Sequence, residues 1–215
     1  MRGLWRAERE LRNQGFLRIA GVDEAGRGSI AGPVVAAAAI FDGSCHLPGL
    51  ADSKLVKPAD RERLFDLIHR KAVCVGVGIA DARMVDRLNV LKATHFAMSE
   101  AIRQLEPRPD LLIVDGRGLP GAALPQRAIV GGDRTCASIA AASIVAKVVR
   151  DRMMVELDET YPGYAFGRHK GYGTRVHLQR LMELGPTPEH RRSFAPVRAA
   201  RQGRLSLESD PAPAP

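Results

Sequence analysis

Apolar positions along the chain fall into short runs separated by polar turns, and the spacing within each run separates strands from helices. Leu17-Arg18-Ile19-Ala20-Gly21-Val22 is a strand running into Asp23-Glu24. A glycine-rich turn, Gly26 to Gly32, divides it from a second apolar run, Val34 to Phe41, which is too short and too β-friendly for a helix. Val73, Val75, Val77 and Ile79 alternate across Ala72 to Ala80 as a third strand. Leu111 to Val114 is apolar throughout, the mark of a strand buried on both faces, and Ala128-Ile129-Val130 makes a fifth. Helical patterns cover Leu4 to Arg12, Asp60 to Lys71 (Leu64, Leu67 and Ile68 on one stripe), Asn89 to Leu105, and Cys136 to about Thr160. The last lacks Gly and Pro and is apolar nearly all round in its first half, which places it deep against the sheet. Beyond it the chain reads as helical pieces broken by Gly185-Pro186 and Pro188. Three strands in succession, then strands alternating with helices, predict a mixed α/β sheet and argue against a doubly wound nucleotide fold.

The 215 residues, 45% hydrophobic and 26% charged, suffice for one globular domain with an extension. The expected division is an N-terminal helix over 1–16, a catalytic domain over 17–165, a basic helical extension over 166–204 and a disordered tail over 205–215. No apolar run approaches the ~20 residues of a membrane span, and no signal-peptide core follows Met1. Cys45, Cys74 and Cys136 form no C-x-x-C pair and read as buried thiols of a reducing, cytoplasmic protein. The net charge of +8 is concentrated: nine basic residues against Glu183 and Glu189 between Phe166 and Arg204. Such a segment on a near-neutral body is the footprint of a polyanion-binding face, or else a solubility surface.

Asp23, Glu24, Asp115 and Asp133 each follow an apolar strand and adjoin a turn with glycine. Carboxylates gathered at neighbouring strand ends repel one another unless a cation sits among them, and hard oxygen donors suit Mg²⁺ or Mn²⁺. Two such ions support phosphodiester hydrolysis. Taken singly, each acid also fits a turn residue, and Asp133 a helix cap. Adjacent strand residues point to opposite faces, so Asp23 and Glu24 share a site only if the strand has already turned towards Gly26, the arrangement preferred here, or if Glu24 arrives from another side. Asp151 rivals Asp133 for the fourth place, although ~22 Å of helix separates it from the start of that helix; its alternative is a surface ion pair with Lys147.

Gly26-x-Gly28-x-x-Ala31 formally matches a dinucleotide fingerprint, but a strand rather than a helix follows, and two acids precede the glycines where phosphate would sit. Close backbone approach to a sugar edge is the better use of the glycines, with Arg27 on the adjoining phosphate.

Gly21-Val22-Asp23-Glu24-Ala25-Gly26-Arg27-Gly28 with Ala31-Gly32-Pro33-Val34-Val35 resembles the N-terminal signature of ribonuclease HII. The likeness continues through Asp52-Ser53-Lys54, Asn89-Val90-Leu91, Val114-Asp115-Gly116, Gly132-Asp133 and the stretch from Ser138 to Lys147. It runs on through Arg150-Asp151-Arg152, His169-Lys170-Gly171-Tyr172 and His190-Arg191-Arg192-Ser193-Phe194. The resemblance implies a ribonuclease H-like fold, a five-stranded mixed sheet flanked by helices with a small helical C-terminal extension. It implies a metal-dependent endonuclease, using two Mg²⁺ or Mn²⁺ ions, that cuts the RNA strand of RNA–DNA hybrids. It also implies incision 5′ of single ribonucleotides in duplex DNA, leaving 3′-hydroxyl and 5′-phosphate, as in ribonucleotide excision repair. By motif position, Asp23, Glu24, Asp115 and Asp133 take the catalytic, metal-binding roles; Gly26, Arg27 and Gly28 the ribose-sensing turn; and Tyr172 the ring packed on the following deoxyribose. Lys54, His169 and Lys170 stand where backbone phosphates are held. Leu55-Val56 departs from the usual basic or polar residue followed by Leu. Ribonuclease HIII, the sibling family, normally carries an additional N-terminal domain, and only about 16 residues precede the first strand here. A monomer is expected. A junction resolvase on the same fold would share the acids without a ribose sensor, and a metal-free nucleic-acid-binding module would use the basic segment alone.

Overall fold

The computed structural model describes residues 3–203; the tail expected over 205–215 lies outside them. The elements are α1 (Arg6–Asn13), β1 (Ile19–Ala25), β2 (Val34–Ile40), α2 (Pro58–Lys71), β3 (Cys74–Ala80), α3 (Ala82–Leu88), α4 (Val90–Arg103), β4 (Leu111–Asp115), β5 (Gln126–Ile129), α5 (Gly132–Thr135), α6 (Ala137–Thr160), α7 (Phe166–His169), α8 (Arg175–Leu184) and α9 (Ala195–Arg201). The sheet order is β3-β2-β1-β4-β5. β2 runs antiparallel to β1, whereas β4 runs parallel to β1 and β5 parallel to β4. The predicted mixed five-stranded sheet flanked by helices is therefore present.

Packing divides the chain into two compact units: one takes the chain up to Ala25, Val35–Ile79 and Thr94–Val148, and the other Gly26–Val34, Ala80–Ala93 and the chain from Val149 onwards. In the first unit, Leu11, Ile19, Leu111, Ile113, Cys136 and Ile139 form one core cluster. Gly21 lies against the α6 backbone at Ser138 and Ile139, with no room for a Cβ. The first α6 turn is closed by α1: a buried Glu8 oxygen accepts from the Ser138 amide and hydroxyl, each at 2.8 Å. Burial pushes the Glu8 carboxyl above its ordinary range, and the bonds from Ser138 oppose that shift. In the second unit, Ile30, Leu178, Leu181 and Val197 form one apolar cluster, and Ala31, Met154, Tyr164 and Phe166 another. Among the described residues no helix is long and apolar enough to cross a membrane.

Three local expectations require correction. The fifth strand lies earlier than Ala128 to Val130; it ends at Ile129, and Val130 is exposed. A further helix, α3, precedes the one expected from Asn89; the Asp81 side chain caps it by accepting from the Met84 amide, and Asn89 breaks it from α4 at φ 68°. Finally, β1 does not turn before Glu24. The β2 ladder continues through Asp23↔Ala37 and Glu24↔Ala36 to Ala25↔Val35, so these two acids sit in extended strand.

Candidate active site

In the first unit the acids converge by strand register. Val22 pairs with Val114 in parallel, so Asp23 and Asp115 are the next residues on neighbouring strands. Asp23 is buried and Glu24 half-buried, the change falling where β1 nears its end, and as successive strand residues they point to opposite faces. Burial holds the Asp23 carboxyl well above the usual carboxylate range, and the negative charges of Glu24 and Asp115 push it the same way. The chain past β5 returns to Asp115, whose Oδ1 accepts from the Gly132 amide at 2.8 Å. Asp133 follows inside α5, where burial first, then Asp52 and Asp115, raise its carboxyl; Lys54 and Arg134 oppose them. Asp133 therefore does not cap α6, and it faces Asp115 rather than standing apart. Asp151, the rival acid, lies in the second unit on the later part of α6.

The neighbouring motif contributes more than the Lys54 expected from it. Asp52 is buried beside Asp133, accepts from the Lys54 amide at 2.9 Å and lies 3.8 Å from Arg134. Ser53 and Ser143 share a buried hydrogen bond of 2.9 Å, and Ser143 also bonds the Asp23 carboxyl. Lys54 itself is exposed. Asp52, Ser53 and Ser143 were not among the expected site residues; two serines interrupting the apolar start of α6 were the available signal. Among the described residues no three donors already close on one ion position. Yet a partly buried, mutually repelling set of carboxylates fits a divalent cation, because positive charge there would relieve both the repulsion and the raised proton affinity of Asp23 and Asp133.

The second unit carries the glycine turn and Tyr172. Gly26 is buried at φ 91°, while Arg27 and Gly28 are exposed. A Cβ built on Gly28 would meet nothing in the protein. The turn is held from behind by Arg191, which is fully buried: Nη2 donates to Gly26 O (2.7 Å), Nη1 to Arg27 O (2.9 Å) and Nε to Gly32 O (3.0 Å). Burial lowers its guanidinium to about 9, and Arg150 acts in the same direction. Arg191 belonged to the basic footprint on sequence grounds, but it lies beneath the surface. Tyr172 exposes its ring.

His169, expected at a phosphate, is buried with both ring nitrogens in use: Nδ1 accepts from the Gly171 amide at 3.2 Å, and Nε2 donates to Tyr164 O at 2.8 Å. It supports the backbone leading to Tyr172 and has no nitrogen left for a phosphate. Lys170, half-buried in the left-handed region at φ 52°, reaches Asp151 O at 3.4 Å.

A mixed sheet with acids at the ends of two adjacent parallel strands, and a third acid beside them just past β5, marks the class as a ribonuclease H-like nuclease. The family model described as ribonuclease HII matches residues 20–197. Ribonuclease HII of Geobacillus thermodenitrificans is 56% identical over 197 residues, covering 92% of this chain and 76% of that protein. Ribonuclease HII of Geobacter metallireducens is 52% identical, covering 92% of each. The crystal structure of ribonuclease H2 from Pyrococcus horikoshii superposes with a TM-score of 0.71 at 26% identity, covering 86% of this chain and 98% of the other. The chain belongs to the ribonuclease HII family. It is an endoribonuclease with ribonuclease H activity on RNA–DNA hybrids.

Proposed function

We propose that this endonuclease acts on single ribonucleotides embedded in duplex DNA, in addition to longer hybrids, and incises on the 5′ side of the ribose to leave a 3′-hydroxyl and a 5′-phosphate. One observation carries the reading: the Gly28 position is open, so nothing within the protein explains its lack of a side chain, whereas a sugar edge brought against the exposed backbone would. A 2′-hydroxyl distinguishes RNA from DNA, and main-chain groups of Gly26 to Gly28 are suited to bonding it. The exposed Tyr172 ring stacks on the deoxyribose that follows and disfavours a second 2′-hydroxyl. Arg27, Lys54 and Lys170 hold phosphates, and no base needs to be read. Along the chain only Ala25 separates Glu24 from the turn.

Asp23, Glu24, Asp115 and Asp133 would hold Mg²⁺ or Mn²⁺. Bound there, a pair of ions supplies an activated water and stabilisation of the leaving oxygen. The raised carboxyl of Asp23 means that it releases its proton as cation binds, so metal uptake weakens towards acid pH. Ser143, itself bonded to Ser53, orients the Asp23 carboxyl. The enzyme works as a cytoplasmic monomer; its three cysteines are free thiols.

The deciding experiment compares a duplex containing one ribonucleotide with an all-DNA duplex of identical sequence and a branched all-DNA junction. Nicking 5′ of the ribonucleotide, with the DNA duplex bound and intact, is the expected result. Cleavage of the branched DNA with none at the ribonucleotide would assign a resolvase instead.

A further inference from the structure

The proposed reader has two halves, the Gly26–Gly28 turn and Tyr172, and a ribose–deoxyribose step is recognised only if their separation is held constant. One side chain touches the surroundings of both. Arg150 of α6 has no exposed surface. On one side its Nε donates to Pro33 O at 2.9 Å and its Nη2 to Ala31 O at 3.3 Å, both at the close of the glycine turn. On the other, Nη1 donates to Lys170 O at 2.8 Å, and its Cζ lies 5.6 Å from the centre of the Tyr172 ring. The same side chain sits behind the turn itself, since a Cβ on Gly26 would overlap its Nε and Cδ.

Main-chain bonds follow this line. The Ile30 and Ala31 amides both donate to Gly171 O, at 2.9 and 3.2 Å, and a Cβ on Gly171 would strike Ala31 O. Lys170, whose carbonyl Arg150 takes, and Gly171 occupy left-handed backbone at φ 52° and 78°. Among the described residues, the Arg150 guanidinium donates to three carbonyl oxygens and to no carboxylate. A buried charge so arranged is a poor device for stability, and its value lies in geometry: a rigid planar fork fixes three carbonyls relative to one another as a lysine cannot. Arg191, by contrast, bonds among the described residues to carbonyls of the turn alone, at Gly26, Arg27 and Gly32.

We infer that Arg150 is a positioning residue that sets the gap between the ribose-contacting turn and Tyr172, and so determines specificity for the ribose–deoxyribose step. The inference rests on the proposed roles of the turn and of Tyr172, and its test separates the two. The substrate is a duplex with a run of four ribonucleotides in one DNA strand, and the readout is the distribution of cuts between the last ribonucleotide, which a deoxyribose follows, and the internal ones. This ratio does not depend on how much of the protein is folded. Wild type is expected to favour the last position. Arg150→Lys, which keeps the charge but not the fork, is expected to lower that preference about tenfold or more, as is Tyr172→Ala, because displacement of a positioning group by about 1 Å already has effects of this size.

If Tyr172→Ala flattens the distribution while Arg150→Lys leaves it as in wild type, the inference about Arg150 is overturned and the reading of Tyr172 stands. If wild type shows no preference, or Tyr172→Ala retains it, the reading fails and the inference with it. Should Arg150→Lys not fold, guanidinium NMR of the wild-type protein decides. Resolved, slowly exchanging Arg150 Nη signals support the fixed fork, and a freely rotating group refutes it.

Discussion

Lowering the pH should weaken the second unit through a buried cluster of three histidines. His169 and His177 lie ring on ring at 4.1 Å, and His177 Nε2 meets His190 Nε2 at 3.1 Å. The bonds at the far ends assign every proton. The Thr187 amide and hydroxyl both reach His190 Nδ1, at 3.0 and 2.9 Å, so His190 carries its proton on Nε2 and donates to His177. His177 then carries its proton on Nδ1 and donates to Tyr172 O at 2.9 Å. A proton added to either ring places two donors face to face. Burial is the main cause that lowers His177 to about 3 and His190 to about 4, from an ordinary 6.5.

Both rings are therefore neutral in the fold and protonated in the unfolded chain at pH 5. Their stabilisation is complete above about pH 6.5 and is lost as pH falls towards the folded values. Between pH 6.5 and 5 each ring loses about 1.6 kcal/mol, roughly 3 kcal/mol together, with a limiting slope near ~2.7 kcal/mol per pH unit. That is a large share of the ~5–15 kcal/mol typical of a folded protein. The raised carboxyls of Asp23, Asp133 and Glu8 work in the opposite direction, gaining stability as pH falls. A paired measurement cancels them: urea unfolding of wild type and of His190→Gln from pH 7 to 5. Glutamine can still donate towards His177 but cannot titrate, so the slope should fall by about half. Equal slopes in the two proteins would refute the assignment.

Three further outcomes are expected. Asp23→Asn and Asp115→Asn should each reduce kcat on an RNA–DNA hybrid by ~10³-fold or more while the far-ultraviolet circular dichroism spectrum is retained, since each removes a like charge from a repelling set; an active Asp115→Asn would contradict the metal-site reading. Asp133→Asn should abolish cleavage and Asp151→Asn should not, and the reverse pattern in folded proteins would exchange their roles. Gly21→Ala should destabilise the first unit by about 1–3 kcal/mol in urea, because the new methyl overlaps the α6 backbone at Ser138 and Ile139; an unchanged midpoint would show that the helix can move away.

Much of the frame was legible because its elements are locally consistent. Strands β1 to β4 and the long α6 are strongly patterned, and glycine or proline marks most of their ends. α3 was missed because seven residues with two arginines present little stripe, and because Asn89 breaks the helix without a glycine. The acids were visible, since an Asp after an apolar run is a local signal. Extension of β1 through Glu24 depends on the partner strand β2, and no local residue announces it. Arg150 and Arg191 were the least legible. In a sequence they count as surface charge, and only the folding back of carbonyls from Gly26 to Pro33 turns them into internal props.

Glu8 has a consequence for the order in which the protein assembles. The amide that it caps lies 130 residues downstream, and at ~5–20 residues per second a ribosome needs roughly 7–26 s to make that stretch. An eight-residue helix is too short to persist alone in water, where ~12–15 residues are already marginal. Helix α1 is thus made well before the residues it settles on, and until Ser138 emerges its apolar residue Leu11 is open to chaperones or to other nascent chains. Docking of α1 on α6 then waits for synthesis of the chain between them, and synonymous changes that slow translation between these two points would lengthen the exposure without altering the finished enzyme.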